Sequence, residues 1–321
     1  MSRAPILVTG AAGFLGAAIC RRFAATGERV AALVRPGTSG QRLAALPDEA
    51  EVVECDLARE PERIAALAAG LAPEVVVHAA VRDAYAPHDL AATVAANVTA
   101  TVHLLAALAA LPRRPRLVAI GSSTEYGRAS GPIAEDTLLA PVTPRGATKA
   151  AASLMVLAEH AAGRIEGGVL RPFTVYGPGE NRIRLIPTAI RAALAGDELP
   201  IAPTGAAHDL VFVDDVAEAC LRAARSPRFP GAAWNVCSGE AISNRVLLEA
   251  IERAAGRPLR RRPGALPARP LDRPDWYGDP ARTRAQLGWR ATTPLAAGLA
   301  VCVEFWRREL EPGVRSPDAG R

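Results

Sequence analysis

The stretch Thr9-Gly10-Ala11-Ala12-Gly13-Phe14-Leu15-Gly16 decides the fold. It follows the apolar run Ile6-Leu7-Val8 directly. It opens a stretch of helical apolar spacing from Phe14 to Ala25, with Gly27 as its stop. Strand, glycine turn and helix in that order begin a βαβ unit. Gly10 permits a tight turn, Gly13 lets backbone approach a pyrophosphate, and Gly16 lets the helix pack closely on the strand. The helix N-terminus adds free N–H groups and a positive dipole end. Gly10, Ala12, Gly13, Phe14, Leu15 and Gly16 are therefore expected to hold the phosphates of a dinucleotide.

Outward from this turn, short apolar runs at 30–34, 52–55, 75–78, 117–120 and 169–170 read as strands. Helical patterns at 61–69, 90–111 and 149–162 alternate with them. Repeated β-α-β with fully apolar strands predicts an α/β fold, a doubly wound parallel Rossmann sheet. After Arg171, Pro and Gly become dense, and helical stretches at 185–195, 215–224 and 244–255 are separated by loops. The segment 260–275 is rich in Pro and Arg and is not expected to form regular helix. The reading is a dinucleotide-binding Rossmann domain over 1–170, with a later contribution from about 208–236. A smaller C-terminal substrate-binding cap follows over 171–311, and 312–321 is expected to be a flexible tail.

Half of the 321 residues are hydrophobic and 22% are charged, which suits a folded chain with a sizeable core. The net charge of +5 is spread along the sequence without a basic stripe, so no nucleic-acid partner is expected. Five cysteines without C-x-x-C spacing suggest a reduced, cytoplasmic protein, and no His/Cys/carboxylate cluster has metal spacing. A strand begins within a few residues of Met1, so no signal peptide is expected. No run of about 18 apolar residues without a charge, Pro or Gly is read, so no membrane span is expected. Of 38 basic residues only Lys149 is lysine. In a chain that otherwise uses arginine, that lysine marks a place needing a compact charge or a shifted pKa.

The end of the second strand bears on the cofactor. NAD sites usually carry Asp or Glu there, for the ribose 2′-hydroxyl. Here Val34 is followed by Arg35, whose fork suits a 2′-phosphate, so NADP is expected, with NAD possible.

Further motifs carry a family resemblance. They are Cys55-Asp56-Leu57, His78-Ala79-Ala80, Asn97-Val98, Ser122-Ser123-Thr124-Glu125-Tyr126-Gly127, Arg171-Pro172-Phe173-Thr174-Val175-Tyr176-Gly177-Pro178-Gly179, Val213-Asp214-Asp215-Val216-Ala217 and Leu287-Gly288-Trp289. With the glycine turn, they make the chain resemble an extended short-chain dehydrogenase/reductase of the NAD-dependent epimerase/dehydratase family. That family acts mainly on nucleotide sugars. The resemblance implies that Asp56 and Leu57 lie beside the adenine, that Ala79, Ala80, Asn97 and Pro172 contribute to the cofactor site, and that Ser123 or Thr124 bonds the substrate oxygen. It also implies a nucleotide-linked sugar as substrate and a homodimer built from the helices at 90–111 and 149–162.

In the family the hydride step uses Y-x-x-x-K, one helical turn that places both side chains on one face. The resemblance makes Lys149 the ribose-binding lysine. The tyrosine position, however, holds Arg145. An arginine, with a pKa above about 12, cannot act as a general acid near neutral pH. Three readings stand. Another acid, Tyr126, Tyr85 or a water, substitutes; Arg145 acts electrostatically on an oxyanion or carboxylate; or the chain is a non-catalytic dinucleotide-binding module. Thr174, Arg182, Arg184, His208, Arg269 and Arg273 are further substrate-binding candidates, arginine being suited to a pyrophosphate.

Overall fold

The computed structural model describes residues 4–44, 46–47, 50–82, 88–202, 205–227, 229–267 and 273–311. Its strands are β1 (Ile6–Thr9), β2 (Val30–Val34), β3 (Glu51–Glu54), β4 (Val75–His78), β5 (Arg116–Ile120), β6 (Glu166–Pro172), β7 (Thr174–Tyr176), β8 (Glu198–Ile201), β9 (Ala207–His208), β10 (Leu210–Phe212), β11 (Ala233–Val236), β12 (Ile242–Ser243) and β13 (Arg260–Pro263). Its α-helices are α1 (Phe14–Ala24), α2 (Pro61–Leu71), α3 (Leu90–Val94), α4 (Ala100–Ala109), α5 (Pro144–Ala161), α6 (Leu185–Ala195), α7 (Val213–Arg225), α8 (Asn244–Ala255), α9 (Ala281–Leu287) and α10 (Leu295–Leu310).

Seven strands form one parallel sheet in the order β11-β6-β5-β4-β1-β2-β3. β1, β2 and β4 are buried along their whole length, as expected of strands covered by helices on both faces. One face packs on α1 and α7, around Ile19, Phe23 and Val216. The other packs on α2, α4 and α5, around Ile64, Leu104 and Val156. The strand order reverses between β1 and β4, so a crevice opens at the carboxyl ends of those two strands. There the register sets His78 beside Thr9 on one side and Ala119 on the other.

The chain returns to this sheet late, at β11, which pairs with β6. Beyond the main sheet, β7 pairs with β10, β9 with β12 and β8 with β13, and α6, α8 and α10 pack together. The Pro- and Arg-rich segment expected to lack regular helix contributes the strand β13.

Two helices differ from the sequence expectation. α5 begins at Pro144, five residues before Lys149, because Thr143 caps it: its Oγ1 accepts from Gly146 N at 3.1 Å, and proline suits the first helical position. The helix Leu90–Ala109 is continuous but carries a π turn over Ala95–Thr99. This helix contains no charge, proline or glycine and has a mean hydropathy of 1.5, so it has the length and composition of a membrane span, contrary to the expectation above. Its Asn97 and Thr101 are buried and hydrogen-bonded within the protein.

Gly16 sets the distance between α1 and the turn, since a Cβ there would lie 2.1 Å from Gly10 O. Gly16→Ala is expected to destabilise the protein by about 1–3 kcal/mol, the usual cost of overpacking, read by urea unfolding.

Candidate active site

The glycine turn builds a cradle. Gly10 has φ +67°, and a Cβ there would lie 2.6 Å from Ala80 Cα. Only glycine lets the end of β1 approach Ala79 and Ala80 after β4 so closely. Ala12 and Gly16 are buried, while Gly13 is exposed and Phe14 and Leu15 are half-buried at the open end of α1. No side chain caps that end and no acidic residue stands in its first turn, so its N–H groups and dipole face outward. Arg35 is exposed at the carboxyl end of β2. Asp56 Oδ1 accepts from Ala58 N at 3.0 Å, which shapes the turn after β3, and Leu57 beside it is buried.

A polar chain runs behind this cradle. Ala80 N donates to Thr9 Oγ1, which bonds His78 Nδ1 at 2.8 Å. His78 Nε2 bonds Thr101 Oγ1 at 3.0 Å, and that hydroxyl donates to Asn97 O at 2.7 Å. Burial, then the nearby Lys149 charge, pushes the His78 pKa down to about 3, so the ring stays neutral. The Asn97 side chain is committed on both sides: its Oδ1 accepts from Arg82 N and its Nδ2 donates to Thr148 Oγ1. Asn97 thus ties the segment after β4 to the lysine helix.

The opposite wall comes from the turn after β5. Ser122 caps a single 3-10 turn, Ser123–Glu125, in a reciprocal capping box with Glu125. Ser122 Oγ and Thr124 Oγ1 are 2.8 Å apart. Ser123 is largely buried, yet its hydroxyl bonds no described residue. Gly146 lets α5 approach this turn, since a Cβ there would stand 2.6 Å from Thr124 O. α5 then brings Lys149 into the crevice, buried, with Nζ donating to Ile120 O at 2.5 Å. Burial first, and the Arg145 charge second, push the lysine pKa down to about 7 against the opposing pull of Glu125. Arg145, one helical turn earlier and half-buried, donates from Nη1 to Arg82 O at 3.0 Å.

Tyr126 does not reach this crevice. It is fully buried; its hydroxyl donates to Asn235 Oδ1 at 2.7 Å and accepts from Arg171 Nη1 at 3.1 Å. Burial pushes its pKa up to about 12. The expectation that Tyr126 replaces the missing acid is therefore overturned: its phenol is a buried joint between β6 and β11. The other suggested acid, Tyr85, lies outside the described residues, as does Arg269.

Pro172 ends β6 and is buried, and Thr174 begins β7, half-buried. Arg182 is half-buried and close enough to Arg191 for its charge to lower that guanidinium's pKa, after burial. Arg184 is engaged by Glu180, Nε to Oε1 at 2.7 Å. His208 lies on β9, opposite Ile242 of β12. Arg273 donates from Nη1 to Arg128 O at 2.8 Å, which links the cap loop to the segment just beyond the serine turn. Two residues here escaped the sequence reading. Glu125 was legible as the end of a Ser-x-x-Glu capping pattern. Arg42, whose Nη2 donates to Gly179 O at 3.2 Å, carried no local signal.

Glycine cradle, open helix end and buried lysine at one switch point define a dinucleotide-binding α/β protein. The sequence matches the NAD dependent epimerase/dehydratase family over residues 6–237, and the chain belongs to that family. It is 32% identical over 315 residues to UDP-glucose 4-epimerase of Mycolicibacterium smegmatis, covering 94% of this chain and 98% of that protein. It is also 32% identical to dTDP-6-deoxy-L-talose 4-dehydrogenase (NAD(P)(+)) of Kitasatospora kifunensis, covering 94% and 95% of the two chains. Among solved structures, MoeE5 in complex with UDP-glucuronic acid and NAD is similar, with a TM-score of 0.83 and 31% identity, covering 95% of this chain and all of that one.

Tyr126→Phe tests the buried-joint assignment. Leaving Asn235 Oδ1 without its donor is expected to cost about 1–3 kcal/mol in denaturant unfolding, while dinucleotide affinity stays unchanged.

Proposed function

We propose that this protein is a nicotinamide-dependent reductase or epimerase of nucleotide-linked sugars, working without the family's tyrosine. The observation that carries this reading is the convergence, at one switch point, of the Gly10–Gly16 cradle, the Ser123–Thr124 turn and the buried Nζ of Lys149. The cradle and the open α1 terminus fit a dinucleotide pyrophosphate, with Ala79 and Ala80 forming its floor. When bound, the nicotinamide supplies or withdraws the hydride. Lys149 would hold the adjoining ribose, and Ser123 or Thr124 would bond the substrate oxygen. Arg145 stands one turn before Lys149, in the position of the tyrosine, and adds a second positive charge to the wall of the crevice. Thr174, Arg182, His208 and Arg273 are the substrate-side candidates, the arginines suited to a nucleotide pyrophosphate. The kinship with proteins named for UDP- and dTDP-sugars supports this substrate class.

The finer assignments rest on single features. Arg35 at the end of β2 supports NADP over NAD. Leu90, Val94 and Val102 of the 90–109 helix and Leu154 of α5 are exposed apolar residues on neighbouring helices, which supports a second copy of this chain as their cover rather than a membrane. Five free cysteines fit a reduced, cytoplasmic setting, and the dispersed charge favours no nucleic acid.

A panel of UDP-glucose, UDP-glucuronic acid and dTDP-4-keto-6-deoxy sugars, assayed with NADPH and NADH for cofactor oxidation and sugar products, tests the activity. Dinucleotide binding with no turnover of any of these would leave the non-catalytic binding module as the function. Arg35→Glu is expected to weaken NADP at least tenfold relative to NAD; an unchanged ratio sinks the 2′-phosphate assignment. Leu154→Arg is expected to shift the sedimenting species from dimer to monomer.

A further inference from the structure

A hydride transfer to a carbonyl leaves an alkoxide that must take a proton, and the position of the usual donor holds Arg145. Arg145 keeps its proton at neutral pH. Tyr126 is sealed between Asn235 and Arg171. His78 is buried, held neutral, and bonded at both ring nitrogens to the hydroxyls of Thr9 and Thr101. Glu125 gives both carboxylate oxygens to Ser122, Ser153 and Arg171.

Lys149 remains. Among the described residues its Nζ meets one acceptor, Ile120 O, so two of the three ammonium protons are left for a ligand. The groups whose charge reaches it are Arg145 on its own helix, Glu125 on the turn after β5, and neutral His78 at the end of β4. Glu125 is already neutralised by Arg171 at 2.8 Å, which leaves Arg145 as the dominant charged neighbour. Desolvation beside a second cation is the physical arrangement that turns a lysine into a proton-transfer group near neutral pH.

We propose that Lys149 Nζ is itself the general acid–base of the hydride step, and that Arg145 is the positioning residue that keeps it able to release its proton. The inference rests on the nicotinamide-dependent reading above. In the reducing direction the carbonyl carbon accepts hydride from the dihydronicotinamide and the C=O π pair moves to oxygen. That oxygen takes a proton from Nζ, and a neutral amine and an oxidised cofactor remain. In the oxidising direction the neutral amine takes the hydroxyl proton as hydride leaves the carbon. Reduction therefore needs the protonated lysine and declines as pH rises through its pKa, while oxidation rises over the same range.

Because Lys149 is the only lysine in the chain, lysine labelled with ¹³C at Cε gives a single ε-methylene resonance in the full-length protein. Its pH titration, with and without NADP⁺, reads the group directly and needs no turnover. A midpoint well over a unit below the ordinary value of about 10.4 is expected, rising toward that value in Arg145→Gln. A wild-type midpoint within about one unit of 10.4 overturns the proposal, and an unmoved midpoint in Arg145→Gln overturns the role of Arg145. Lys149→Arg, which keeps the charge but cannot release the proton, is expected to bind cofactor yet lose turnover by about 10²–10⁴-fold. Retained turnover in that variant also overturns the proposal. Failure of the underlying functional reading would look different: the wild type itself would bind no dinucleotide or convert no nucleotide sugar.

Discussion

The buried carboxylate of Glu125 is the constraint on which the candidate site depends. One oxygen accepts from Ser122 N at the end of β5 and from Ser153 on α5; the other pairs with Arg171 of β6 at 2.8 Å. The turn after β5, α5 and β6 are joined here through one carboxylate. A buried ion pair is weak evidence of net stability, because desolvation offsets most of the attraction. Its consequence here is geometric. The serine turn and the lysine helix take one relative position, with Lys149 Nζ on Ile120 O, just before the turn that carries Ser123 and Thr124. Arg171 extends the hold to Tyr126 and Glu135, and Asn235 of β11 joins through its own bonds to Tyr126 and Glu135. The strand that returns late to the sheet is thereby tied to the turn that presents the serine.

The other half of the crevice is set by close backbone approach rather than by charge. Gly10 at φ +67° and Gly16 against Gly10 O leave no room for a side chain. The same economy of space recurs at Gly146, which brings α5 onto Thr124 O. The α1 terminus is left without a side-chain cap, and the ammonium of Lys149 is buried against Ile120 O. The pressure on Lys149 follows from that enclosure: burial removes water from the ammonium, and Arg145 adds a like charge on the same face of the helix. A tyrosine in place of Arg145 would lose its own proton more easily beside the lysine. An arginine instead makes the lysine's proton easier to lose.

Much of this was legible as a string. The βαβ alternation and the glycine spacing announced the sheet and its cradle, because backbone-limited motifs leave their mark in consecutive residues. Lys149 stood out by composition alone, and Arg145 by its distance of four from it. Tyr126 was misplaced because it belongs to a motif that borders the site, and a motif does not say whether a polar group faces the crevice or its back. The helix at 90–109 was misjudged because Asn97, Thr101 and His103 interrupt its apolar character without making it charged.

The sequence by itself determined the family, the glycine cradle and the positions of the lysine and the arginine, since each rests on local spacing and residue type. Only the tertiary structure decided which polar side chains remain available. Tyr126 and Asn235 are 109 residues apart, as are no local partners, and His78 meets Thr9 across 69 residues. Those pairings are set by sheet register and helix packing. They engage the phenol of Tyr126, the imidazole of His78 and the carboxylate of Glu125, while Lys149 Nζ meets a single acceptor among the described residues.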